Sequence, residues 1–251
     1  MVNLEKIQTA IKTIYASALK NNIYLLIAGG SIGRGNYVPG WSDADLLLVL
    51  NNIDTKSLFL VKNCEEKLEK IFNLEIDTMI ITKTAFEKLS PEKLHGKVKN
   101  FLFFINKTKI LIKNKGLKLP IVNYKDFIYG FWSTYTNQEK NFLRRNADGN
   151  YKDKSSLQKL FKKNLKVIFL LLKQGFATPK LAPCTYDQII KSASNYLSKS
   201  TLKKLGHYQV IRTANKIKKM STTELKREVN DSIDLFQVIS KILITNKHVN
   251  K

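Results

Sequence analysis

Gly29-Gly30-Ser31-Ile32-Gly33-Arg34-Gly35 and then, beyond a short stretch through Pro39, Gly40 and Trp41, Ser42-Asp43-Ala44-Asp45-Leu46-Leu47-Leu48-Val49-Leu50 decide how this chain is read. In an extended strand alternate side chains share a face, so Asp43 and Asp45 project together while Ala44 and Leu46 turn the other way. Two carboxylates held that close repel unless a cation lies between them, and hard oxygen donors of this kind suit Mg²⁺, which also takes substrate phosphates. The glycines let a phosphate approach the backbone, and Ser31 with the N–H groups opening the next helix supplies donors for the β- and γ-phosphates. Arg34 reads equally as a phosphate or pyrophosphate contact and as a solvated loop cation. Trp41 reads as a base-stacking ring or, better, as a hydrophobic plug under the loop.

Working outward, the apolar run Ile23-Tyr24-Leu25-Leu26-Ile27-Ala28 predicts a buried strand closed by the Gly29-Gly30 turn. Leu4, Ile7, Ile11, Ile14 and Ala18 recur at helical spacing and predict an amphipathic helix over residues 3–20. A helix over 56–72 and a strand over 74–81 follow, and the strand carries Glu75 and Asp77 at alternating spacing. Either offers a third carboxylate; Asp77, flanked by apolar Ile76 and Met79, is the better choice for completing a metal site. Strand, helix, strand, helix, strand implies an α/β core. Lys109-Ile110-Leu111-Ile112 predicts a fourth strand, and Gly116 to Pro120 reads as a joint. Beyond it the pattern predicts helices over 123–146, 156–174, 184–197 and 222–246, the last with Leu225, Val229, Ile233, Phe236 and Leu243 on one face. The expected fold class is α+β, a mixed-sheet core over residues 1–118 followed by an all-α bundle over 119–251, the two sharing a cleft for a ligand.

The Gly-Ser turn followed twelve residues later by Asp-any-Asp, from Ser31 to Asp43, resembles the signature of the DNA polymerase β superfamily of nucleotidyltransferases. The resemblance covers about residues 20–82, and the wording of Gly29 to Gly35 and Ser42 to Leu46 looks like the 2′-5′-oligoadenylate synthetases and other template-independent enzymes. It implies phosphate binding by Gly30 and Ser31, metal binding by Asp43 and Asp45, and a third carboxylate at Asp77. Asp77 follows Asp45 by only 32 residues, which matches the compact members that modify antibiotics, proteins or tRNA. The expected activity is Mg²⁺-dependent transfer of a nucleoside monophosphate, AMP from ATP first among them, to an acceptor hydroxyl. Two metal ions clamp the attacking and leaving oxygens, pyrophosphate departs, and Asp77 is also placed to accept the hydroxyl's proton.

Composition narrows the partners. The formal charge is +23, with 18 Lys+Arg against 11 Asp+Glu over residues 1–118 and 25 against 9 beyond, so the second half carries a net +16. Such a field attracts phosphate-rich partners, and RNA, tRNA above all, is the expected acceptor; a small molecule of aminoglycoside type or a protein is the alternative. A further alternative is an antitoxin-like or regulatory binding protein on the same scaffold. Only five of the 43 basic residues are arginine, which equally fits a lysine-rich coding bias and gives little bidentate recognition. Lys140, Arg144, Arg145, Lys152 and Lys154, interleaved with Tyr135, Phe142 and Tyr151, read as a basic aromatic surface or, slightly better, as a solvated helix face. Glu139 reads as a surface charge more readily than as a general base.

No apolar run approaches the roughly 20 residues of a membrane span, and residues 1–20 lack a signal-peptide pattern, so a cytoplasmic protein is expected. Cys64 and Cys184 suggest two reduced, mostly buried thiols, and His95, His207 and His248 show no sequence partners.

Overall fold

The computed structural model describes residues 3–35, 37–38, 41–90, 93–147, 151, 153–176 and 185–245. The chain forms two compact units, Met1–Gly130 and Phe131–Lys251.

The first unit begins with α1 (Leu4–Leu19), capped by the Asn3 side chain, which accepts from the Glu5 N–H. It buries Ile7, Ile11, Tyr15 and Leu19. Then come β1 (Ile23–Ala28), the five-residue α2 (Gly30–Arg34), β2 (Ala44–Leu50), α3 (Thr55–Phe72), β3 (Ile76–Thr82), α4 (Lys83–Lys88), α5 (Gly96–Phe103) and β4 (Lys109–Lys113). A capping box between Asp54 and Ser57 starts α3, and Asn73 ends it in the left-handed conformation. The four strands run in the order β3-β2-β1-β4. β1 is antiparallel to β2 and β4, whereas β2 and β3 are parallel, joined by the α3 crossover. The sheet is therefore mixed, as the sequence predicts.

Period-two alternation sorts β2 between its faces. Ala44, Leu46, Leu48 and Leu50 join Ile7, Ile11 and Tyr15 of α1 and Val61, Cys64 and Leu68 of α3 in one core. Leu47 and Val49 are equally buried on the opposite face, where α4 packs on β2 and β3. The Cys64 thiol is free, and burial pushes its pKa up to about 11. Cys184 lies outside the described residues.

The unit boundary falls inside α6 (Tyr124–Ala147), later than the Gly116–Pro120 joint suggested by the sequence. The second unit continues with α7 (Lys154–Gly175), α8 (Tyr186–Ala193), α9 (Lys199–Thr213) and α10 (Thr222–Thr245). Gly175 lets α7 meet α10 closely, since a Cβ there would stand 2.2 Å from Leu243 Cδ2. The Asn164 amide donates to Ser232 Oγ at 2.9 Å and to Asn146 Oδ1 at 3.0 Å, satisfying a buried polar side chain. Phe142 and Phe236 stack with ring centroids 3.9 Å apart, both buried. Truncating that pair by Phe236→Ala is expected to cost about 3–5 kcal/mol, measured as a lower urea midpoint for the loss of helical circular dichroism.

α9 is a helix that apolar periodicity did not reveal. Its buried positions include Thr201, Leu205, Tyr208 and Arg212, spaced as a helical stripe but of mixed polarity. Arg212 is accommodated there by its guanidinium, 4.4 Å from the Tyr186 ring centroid. In α10, Ile233 is only half-buried while Glu228, Ser232 and Ser240 are buried, so the packed stripe is more polar than the expected one.

Candidate active site

The sheet delivers the carboxylates. Parallel pairing of β2 with β3 sets Asp45 directly opposite Asp77, and in-register neighbours of adjacent strands share a face. Asp43 lies just ahead of β2, beside Ala44, whose N–H donates to the Glu75 carbonyl at 2.8 Å. Glu75 itself precedes the strand, and Asp77 is the carboxylate aligned with Asp45.

The glycine turn is fitted to the same group. Beyond Ala28, paired with Leu46, the Gly29 N–H donates to the Asp45 carbonyl at 2.8 Å and extends the β1–β2 ladder. The chain then reverses into α2 through Gly30, whose φ is +55°, a value natural to glycine. A Cβ on Gly30 would stand 2.5 Å from Asp45 Oδ2, so the turn packs directly against the carboxylate. Gly33 is as constrained by packing: a Cβ there would meet the Ala28 carbonyl oxygen at 2.1 Å, while its N–H donates to the Gly29 carbonyl at 2.7 Å. Ser31 is buried, and its Oγ donates to the Asp43 carbonyl at 3.3 Å. That bond ties the turn to the aspartate segment.

Burial raises the pKa of Asp45, and the charges of Asp43 and Asp77 raise it further, opposed by Lys97 and Arg34. Ionised, the group is crowded by like charge and calls for a cation. The cation found there is a lysine that sequence reasoning missed. Lys97, in the first turn of α5, places Nζ 2.6 Å from Asp77 Oδ2 and 3.6 Å from Asp45 Oδ1. One lysine among 43 basic residues carries no distinguishing local pattern. Among the described residues, no three His, Cys, Asp or Glu side chains are gathered closely enough to hold a metal ion as they stand. The chemistry of the set nevertheless fits a hard divalent cation, since its donors are carboxylate oxygens whose mutual repulsion such an ion would relieve.

The remaining candidates separate clearly. Trp41 is buried, with 4% of its surface exposed, which favours the plug over a base-stacking ring. Tyr135 and Phe142 are core residues, so the basic face of α6 lacks two of the aromatic rings that a stacking surface would use; Lys152 lies outside the described residues. Glu139 is half-buried and accepts from the Tyr135 hydroxyl at 3.3 Å. Two histidines do have partners, contrary to the sequence expectation: the His95 Nδ1 accepts from the Lys97 N–H at 3.2 Å, and His207 Nε2 lies 3.4 Å from Glu228 Oε1. His248 lies outside the described residues.

Residues 4–104 match the family model of the nucleotidyltransferase domain. A comparison with curated proteins gave no match. Among solved structures, the chain is similar to a spectinomycin adenyltransferase from Enterococcus faecialis, crystallised with ATP and spectinomycin. The TM-score is 0.60 at 15% sequence identity, covering 94% of this chain and all of that one. No helix among the described residues is long and apolar enough to cross a membrane. The aligned carboxylates of β2 and β3 and the glycine turn fitted to them thus lie within residues 4–104, the part of the chain that matches the nucleotidyltransferase domain.

Proposed function

We propose that the chain transfers AMP from ATP to a hydroxyl of a small-molecule acceptor, with release of pyrophosphate. The observation that carries the chemistry is the alignment of Asp45 with Asp77 across parallel strands, with Gly30 folded against the Asp45 carboxylate. Asp43, Asp45 and Asp77 would hold Mg²⁺, two ions in all; when bound, these supply the positive charge that activates the attacking oxygen and stabilises the leaving one. Gly30 and Ser31 offer the triphosphate a close backbone approach, and Arg34 balances charge on the leaving pyrophosphate. Asp77, whose side chain is 63% exposed, is accessible to an incoming hydroxyl and accepts its proton. Residues 1–118 form the transferase portion in this reading, and the helices beyond it recognise the acceptor in the cytoplasm.

The small-molecule reading is favoured because the likeness to the spectinomycin enzyme runs through nearly the whole chain, helical portion included. RNA is the second reading. Its specific support is the net +16 of residues 119–251, which attracts a polyanion and disfavours a polycationic acceptor.

The test is incubation of the purified protein with α-labelled ATP, Mg²⁺ and separate pools of aminoglycosides including spectinomycin, tRNA and proteins. Label is expected in a small molecule. Label in tRNA, together with RNA binding that weakens steeply as salt rises, would instead establish the RNA reading. Absence of label from every pool and every other NTP would leave a binding protein built on the scaffold.

A further inference from the structure

Lys97 differs from the other lysines of the first unit in where the fold holds it. Its N–H is fixed by His95 at the start of α5, while its ammonium reaches both Asp77 and Asp45. Those two carboxylates sit opposite each other on β2 and β3, held by backbone pairing whether or not a cation is present. The side chain is 26% exposed, and four methylenes separate the charge from the anchored backbone, so the ammonium can leave without moving the helix.

We infer that Lys97 is a built-in counter-cation that competes with the metal ion for Asp45 and Asp77, so that metal and nucleotide load cooperatively. The inference rests on the reading of these carboxylates as metal ligands. An ammonium 2.6 Å from one carboxylate and 3.6 Å from the other stands in the space between them that a cation held by Asp45 and Asp77 would need. Two cations do not share that space. A metal arriving alone must push Lys97 into water and remove its ion pairs. A metal arriving with a triphosphate offers the displaced ammonium a new anionic partner, and the displacement is offset. Linkage then requires that nucleotide tighten metal binding by the same factor as metal tightens nucleotide binding. Lys97 is a positioning residue in this scheme, and it acts through the carboxylates.

The scheme is tested on the full chain by Mn²⁺ binding, read from the electron paramagnetic resonance of the free ion. The titration is run with and without an ATP analogue carrying a methylene between the α- and β-phosphorus, corrected for metal held by free analogue. The wild type is expected to bind Mn²⁺ weakly alone and about tenfold or more tightly with the analogue, within the usual span of coupled sites. Lys97→Met should bind Mn²⁺ alone about tenfold more tightly than the wild type and lose most of the coupling, while Lys97→Arg retains it. Lys97→Gln is measured alongside, with thermal melts of every variant, so that poor folding of one variant does not decide the result. Mn²⁺ affinity unchanged or weakened in the folded Met and Gln variants would overturn the proposal. Asp45→Asn separates the two levels. If it abolishes Mn²⁺ binding while the Lys97 variants behave as wild type, only the counter-cation fails; if Mn²⁺ still binds, the metal-site reading itself fails.

Discussion

Asp45→Asn is expected to lower nucleotidyl transfer by on the order of 10³-fold, the scale seen when a charge-stabilising group is removed from a preorganised site, and to raise the melting midpoint of the metal-free protein. Both effects have one origin. The amide keeps the size and shape against which Gly30 is folded, so the turn is preserved, but it no longer offers a cation an anionic ligand. It also removes a charge that burial and the neighbouring Asp43 and Asp77 disfavour. Lys97 loses its longer contact and keeps the 2.6 Å pairing with Asp77. The sign follows from linkage: a carboxyl whose pKa is raised on folding binds its proton more tightly in the folded state. Its penalty is absent below the unfolded pKa and full above the folded one. The melting advantage of Asp45→Asn should accordingly shrink as the solution is acidified. Circular dichroism melts at neutral and acid pH, with transfer assayed at neutral pH, check both halves. A variant that melts lower at neutral pH would mean that the Lys97 pairing outweighs the crowding.

The same site explains what the sequence could and could not disclose. Asp43, Asp45 and Gly30 lie within one short stretch, and their relation follows from strand alternation and a glycine turn, both local rules. Asp77 is distant in sequence, yet its place was readable because a strand, a helix and a second strand predict a parallel neighbour, and the observed register sets it against Asp45. Lys97 was not readable. It reaches the carboxylates from α5, a short helix with no strong pattern, and its role depends on tertiary placement alone. The second unit shows the same limit in a different form. Helices α7 and α10 carry apolar stripes and were predicted, whereas α9 buries Thr201 and Arg212 among its apolar residues and was missed. Likewise Tyr135 and Phe142 alternate with basic residues in sequence but turn inward in the fold, because a helix separates neighbours in the chain onto different faces.

Gly30 provides the sharpest test of whether the turn serves the chemistry or merely connects two elements. Gly30→Ala is expected to lower transfer by on the order of 10²-fold, the cost typical of a displacement of about 1 Å at a reacting centre. It should also destabilise the fold by about 1–3 kcal/mol. Two constraints act on the same atom: φ is +55°, and the new Cβ would stand 2.5 Å from Asp45 Oδ2. Relief comes by moving the carboxylate or the turn, and either changes the relation between the backbone of the turn and Asp45. Gly35→Ala is the matched control. Its φ of +81° is also left-handed, but the added Cβ would meet Leu4 Cδ2 at 3.9 Å, an ordinary contact. The control should lose about 1–2 kcal/mol of stability from backbone strain and keep its turnover under conditions where it is folded. Urea denaturation and transfer rates on the two variants separate the contributions. Equal losses of turnover in both would show that strain in the loop, and not the contact with Asp45, sets the activity; a loss confined to Gly30→Ala assigns it to the packing of that glycine against the carboxylate.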